Sequence, residues 1–208
     1  EVKKFYAARW RPDRGTLVVV GDVSRAELDT MLDKAFAGWT AKGAPPSEAP
    51  ESAAFTGKAP TPPGSQRVII VDRPDAPQSV VAVTRSGVSA FDDDGAGLVR
   101  VSGALGGSFT SRLNQDLRED KNWTYGAHTR YSYNRLRGLF VANAAVVTEH
   151  TGEAVKAMLT DIEGMKKGGL TDEEVERTKK LARAELVESF ETVHAAAARL
   201  ARNAGFGQ

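Results

Sequence analysis

Cysteine is absent from the sequence, which excludes a disulfide framework, a thiolate nucleophile and a cysteine-ligated metal, and leaves the redox compartment open. An excess of either charge is missing too. The 28 basic and 27 acidic residues leave a net +1, so nothing global draws the chain to nucleic acid or an anionic membrane. No apolar run approaches the roughly 18 residues that span a bilayer, residue 1 opens no signal peptide, and Glu1 is not preceded by methionine. A patterned segment that starts this abruptly is expected to be a fragment of a longer protein, with any targeting signal upstream. Histidine is scarce: His128, His150 and His194 are the only three, far apart in sequence. His150 and Glu153 bring one imidazole and one carboxylate together at helical spacing, but zinc normally takes three or four ligands. No metal site is expected in this chain, and the histidines read as surface residues.

What remains is typical of a globular protein: 41% hydrophobic and 26% charged residues over 208 positions suffice for a core and one or two domains. An aromatic segment with Phe5, Tyr6 and Trp10 precedes a turn at Arg11 to Gly15, and Thr16 to Val20 reads as a buried strand ended by Gly21. Ser24 and Glu27 form a capping box for a helix with Leu28, Met31, Leu32, Ala35 and Phe36 on one face. From Thr40 to Gln66 the chain turns to Pro, Gly, Ala, Ser and Glu, including Ala44-Pro45-Pro46 and Pro60-Thr61-Pro62-Pro63-Gly64. Prolines remove backbone donors and stiffen such a stretch, which reads as a linker.

Beyond the linker, Arg67 to Val71 and Ser79 to Arg85 read as strands separated by a turn at Arg73 to Pro77. Asp92-Asp93-Asp94 suits a helix start, a solvated cap rather than a calcium loop, whose ligands alternate. The helix carries Leu98, Val101, Ser102 and Leu105, and Gly106-Gly107 ends it; these glycines follow a helix and not a strand, which excludes the dinucleotide fingerprint. Tyr125 to Tyr133 and Leu139 to Val147 form a hairpin about Arg135 to Gly138. Its Arg130, Tyr131, Tyr133, Arg135 and Arg137 would suit RNA stacking only within a wider basic surface, which a neutral chain lacks. A helix with Val155, Met158, Leu159, Ile162 and Met165 ends at Gly168-Gly169. Thr171 and Glu174 then box the start of another, with Val175, Ala182, Leu186 and Phe190, and a last helix is expected over Thr192 to Asn203. Paired strands followed by paired helices predict an α+β fold: a mixed, mainly antiparallel sheet with helices packed on one face.

The organising stretch is Leu105 to Gly126, LGGSFTSRLNQDLREDKNWTYG. Phe109, Leu113 and Leu117 recur at four-residue spacing and should share a buried face, leaving Arg112, Gln115, Asp116, Arg118 and Glu119 toward solvent or a cleft. Arg118 near the helix end and Tyr125 at a strand start could present a guanidinium and a phenol side by side, and both bind carbonyl or carboxylate oxygen. The competing reading pairs Arg118 with Asp116 or Glu119 and packs Tyr125 at the strand start.

Taken together, FYAARWRPDRGTLVVVGDVSRAEL from Phe5 to Leu28, LGGSFTSRLNQDLREDKNWTYGA, RGLFVANA from Arg137 to Ala144 and LTDEEVERTK resemble the C-terminal, non-zinc domain of pitrilysin-type (M16, insulinase-like) zinc peptidases, in the bacterial and mitochondrial-processing-peptidase branch. The resemblance covers nearly the whole chain. It implies a division into residues 1–40, the final strand and helix of a preceding domain; residues 41–66, the linker; and residues 67–208, a non-zinc domain truncated at its C-terminal end. It implies that Arg118 and Tyr125 hold a peptide carbonyl over a zinc carried by the complementary half, in the same chain or a partner subunit. No His-x-x-Glu-His motif occurs here, so the chain alone should cut nothing; its substrate would be a peptide or unfolded polypeptide. A non-catalytic scaffold or binding subunit is the alternative that the same resemblance allows. It also implies a bacterial periplasm or cytoplasm, the periplasm favoured, and a front strand-helix unit free to fill the second domain's missing ending, within one chain or by swapping in a homodimer.

Overall fold

Alternating small apolar and polar residues build three strands, β1 (Gln78–Gly87), β2 (Thr124–Tyr133) and β3 (Gly138–Val147), in a computed structural model that describes residues 1–43, 68–133 and 138–206. Their order is β1-β3-β2, antiparallel throughout. The register sets Val81 opposite Ala144, and Ala144 opposite Ala127, so one row of small buried side chains crosses the sheet. Helices α3 (Gly95–Gly106) and α5 (Thr151–Gly168) pack on that face, α3 along β2 and α5 against β1 and β3. Between them lie Ala104, Leu105, Leu113, Leu117, Ala154, Met158 and Met165. Fully burying a side chain such as Leu113 or Met158 is worth roughly 2–3 kcal/mol. The opposite sheet face, with Val80, Val141, Asn143, Tyr125 and His128, has no helix packed on it among the described residues. The fold is the expected α+β, with helices on one face.

Close approach is needed at one point. A Cβ on Gly106 would lie 2.6 Å from Thr129 Cγ2 and 2.8 Å from Thr129 N, so only glycine lets the end of α3 touch β2. There the Thr129 hydroxyl donates to the Ser102 carbonyl.

The molecule divides into two compact units, residues 55–183, which hold the sheet, and residues 1–54 with 184–208. In the second, α1 (Val2–Arg9) and α2 (Arg25–Phe36) are joined by a short 3-10 turn at Pro12–Arg14. Arg11 is buried, paired with Asp13 (2.8 Å) and donating to the carbonyls of Lys42 (2.8 Å) and Gly43 (2.9 Å). Trp39 stacks near Phe36 and Trp10 at 5.5 and 6.4 Å. The Ser24–Glu27 capping box forms as expected. α6 (Asp172–Glu188) and α7 (Val193–Phe206) complete the described helices, none of them long and apolar enough to cross a membrane.

Two expected strands are not formed. Among the described residues Thr16 to Val20 joins no sheet, and Val68 to Val71 joins none either, with every side chain exposed. A β-branched run favours extended backbone, yet it becomes a strand only where a neighbouring edge satisfies its N–H and C=O groups. The linker expected over 41–66 and the hairpin turn at Arg135 to Gly138 fall almost wholly outside the described residues.

Candidate functional site

The Gly-rich end of α3 leads into a tight loop in which Ser111 N–H donates to the Ser108 carbonyl at 3.1 Å and Ser111 Oγ donates to it at 2.6 Å. Helix α4 (Arg112–Asn114) therefore starts only at Arg112. Phe109 precedes it, escapes the helical period and is 68% exposed, while Leu113 and Leu117 are buried as expected. From Gln115 to Asp120 the helix widens to π geometry. Lys121 N–H bonds the Asp116 carbonyl at 3.1 Å and Trp123 N–H bonds Leu117 at 2.9 Å, and Asn122, at φ 55°, turns the chain out of the helix. Such π segments are rare and concentrate at functional sites. Arg118 sits on this widened turn, its guanidinium carbon 4.8 Å over the Phe109 ring, and pairs with Glu119 at 2.8 Å. The pair is solvent-exposed and worth at most about 1 kcal/mol, so a ligand oxygen can compete for the guanidinium.

Tyr125 does not pack at the strand start; it is 90% exposed. The pairing of β2 with β3 slips between Thr124 and Ala127, a bulge that turns Tyr125 out of the sheet. Thr124 Oγ1 accepts from Gly126 N–H at 3.1 Å and donates to Ala145 O at 2.7 Å, fixing one side of the bulge. The other side is fixed by Asn114, which is 2% exposed. Its Oδ1 accepts from Ala127 N–H at 2.9 Å, and its Nδ2 reaches Ala127 O, Ser108 O and Ser111 Oγ at 2.7, 3.0 and 3.1 Å. Phe109 and Tyr125 line one cleft of about 420 Å³ on the open sheet face, with Val80, His128 and Asn143 among its walls. Arg118 does not line it and reaches it only through Phe109, on whose ring it stacks.

Arg112, expected toward solvent or a cleft, instead forks onto Glu174 with two bonds of 2.6 Å and donates to Gly169 O at 2.8 Å. Glu174 also accepts from Thr171 N–H at 2.8 Å, closing the expected capping box of α6. The guanidinium and the backbone donor hold the Glu174 carboxyl down at about 2. Asp161, on α5, is displaced the other way: burial, with the neighbouring Asp116 carboxylate, pushes it up to about 6. Lys121 pairs with Asp116 and lies over Trp123, whose ring stacks on His150 at 5.0 Å.

Among the described residues no group of three His, Cys, Asp or Glu could hold a metal ion. His128 lies on the cleft wall, His150 against Trp123 and His194 on α7. Of the expected pair, Tyr125 lines the cleft, while Arg118 touches Phe109, which lines it; Phe109 was expected on a buried face, and Asn114 carried no expectation. An asparagine beside Leu113, where a helix interior disfavours it, is the local signal that could have marked Asn114.

A family profile described as peptidase M16 inactive domain matches residues 1–182. The chain is 24% identical over 206 residues to the "Uncharacterized zinc protease YmxG" of Bacillus subtilis, covering 97% of this chain and 46% of that protein. It is 22% identical to the "Probable inactive metalloprotease YmfF" of the same organism, covering 93% and 43%. A crystal structure of a protease from Helicobacter pylori superposes with a TM-score of 0.83 at 21% identity, covering all of this chain and 49% of that one. The chain thus spans about half the length of the curated relatives it matches.

Proposed function

The chain belongs to the peptidase M16 family through its inactive domain, and from that membership we propose that it supplies the substrate-holding, non-zinc half of a peptide-cleaving chamber and cuts nothing alone. Arg118 and Tyr125 hydrogen-bond a backbone carbonyl of an unfolded polypeptide near the bond to be cut. The observation that supports this is an outward-turned Tyr125 lining a cleft whose other wall, Phe109, carries the Arg118 guanidinium on its ring. A fixed fork of donors and a phenol orient the carbonyl and stabilise charge developing on it without transferring a proton. Zinc belongs to the complementary half, in the same chain or a partner subunit; bound there, it supplies a Lewis acid and an activated water.

The test is turnover of fluorescein-labelled, denatured casein by the protein assembled with its zinc-bearing half. A charged hydrogen bond is worth about 1.5–3 kcal/mol, a neutral one about 0.5–1.5. Arg118→Ala should therefore lower kcat/KM by about 10- to 100-fold, and Tyr125→Phe by about 3- to 10-fold. Unchanged kinetics for both variants would remove the assigned roles. The likeness to YmfF, whose name marks it as inactive, supports the second reading, a non-catalytic scaffold. An intact His-x-x-Glu-His in the complementary half selects the enzyme, and its absence selects the scaffold.

A further inference from the structure

We infer that Asn114 is a positioning residue that sets Phe109 and Tyr125 at a fixed separation across the cleft, an inference that rests on the substrate-holding reading above. One carboxamide ties together two segments that present cleft residues. Toward the loop, its Nδ2 bonds Ser108 O and Ser111 Oγ, on either side of Phe109. Toward the sheet, it takes both the N–H and the C=O of Ala127, as a neighbouring strand would. Those two bonds fall where the β2–β3 register resumes after the slip, immediately beyond the bulge that turns Tyr125 outward.

Shape makes the assignment specific. The site needs an acceptor and two donors on one planar group of fixed length, buried at 2% exposure. Aspartate lacks the donors and glutamine adds a methylene where there is no room. Arg118 follows by stacking on Phe109, so displacement of the loop moves the guanidinium as well. A shift of even 1 Å in positioning groups can cost up to about 100-fold in rate.

The experiment compares Asn114→Ala and the milder Asn114→Ser with Met158→Ala, a core truncation on α5 outside the cleft. All are assembled with the zinc-bearing half and assayed on denatured fluorescein-casein below their melting transitions. Loss of folded protein lowers the apparent kcat and leaves KM alone, as expected of Met158→Ala. Loss of positioning lowers kcat/KM per folded molecule, with the folded fraction measured by circular dichroism, by about 10-fold in the Asn114 variants and leaves it near wild type in Met158→Ala. In an Arg118→Ala, Tyr125→Ala background, Asn114→Ala should add less than about twofold, because it acts through those side chains. A wild-type kcat/KM per folded molecule in Asn114→Ala or Asn114→Ser overturns the inference while leaving the functional reading intact. A fully additive loss in the triple variant also overturns it. Wild-type kinetics for Arg118→Ala and Tyr125→Phe overturns both.

Discussion

Asp161 and Glu174 both feel the Arg112 charge, yet their carboxyls are displaced in opposite directions because only one of them is satisfied. Glu174 accepts the guanidinium fork and a backbone N–H, so its ionised form is the stable one. Its contribution is present above the ordinary range near 4.5 and is lost as pH falls toward about 2. Asp161 Oδ2 is buried without a partner, and Asp116 lies close enough to raise its carboxyl further. The folded state therefore prefers Asp161 protonated, and stability present below the ordinary value of 3.8 is lost as pH rises through about 6. Asp161→Asn removes the buried charge and keeps the shape. With partial exposure weakening the effect, it should stabilise the fold by on the order of 1 kcal/mol at neutral pH. The gain should fade once the wild-type carboxyl is protonated in both states, below about pH 4. Urea midpoints at the two pH values measure this, and a less stable Asp161→Asn at neutral pH contradicts it.

Elements were legible wherever their signals are local. The two capping boxes, Ser24–Glu27 and Thr171–Glu174, form with their reciprocal bonds. Alternation and helical spacing located β1, β2, β3, α3 and α5 to within a few residues. What was missed depends on distant partners. Thr16 to Val20 and Val68 to Val71 have the composition of strands, but pairing comes from an edge that composition does not encode. Phe109 fell outside its stripe because a two-serine turn delays the helix start to Arg112. Arg112 was drawn off the surface by a glutamate 62 positions away, and Asn114 acts on a strand 13 positions on; neither distance leaves a periodic trace. The contact of α3 with β2 is of the same kind and gives a prediction at this scale. In an exposed helix Gly→Ala stabilises by about 1 kcal/mol. At Gly106 the new methyl meets the Thr129 backbone, which cannot rotate away, and overpacking of this type costs about 1–3 kcal/mol. Gly106→Ala should thus lower the urea midpoint and Gly97→Ala, whose Cβ has open space, should not; equal midpoints for the two would deny the close approach.

For the molecule as a whole, the open sheet face presents Val80, Leu139 and Val147 to solvent, and Met31 and Phe36 of α2 are likewise exposed. Apolar surface of this kind is costly to leave wet, at roughly 25 cal/mol per Å², and contiguous patches mark contact sites. The sheet face is also the floor of the cleft, so a second half that closes a chamber over it would cover apolar surface and enclose the peptide in one step. The curated relatives are about twice as long as this chain. On the proposed division of labour this chain holds the peptide, and holding a substrate supplies no nucleophile for amide hydrolysis. The isolated chain should therefore leave denatured casein uncut with or without added zinc, and the assembly with a zinc-bearing half should cleave it and lose that activity to a chelator. Sedimentation should show the two halves in one complex at equal stoichiometry, with zinc removal abolishing turnover before it dissociates the complex, because on the proposed reading side chains of the sheet face, not the metal, would make the contact. Zinc-dependent cleavage by the isolated chain would refute the division of labour, and halves that never associate would refute the chamber.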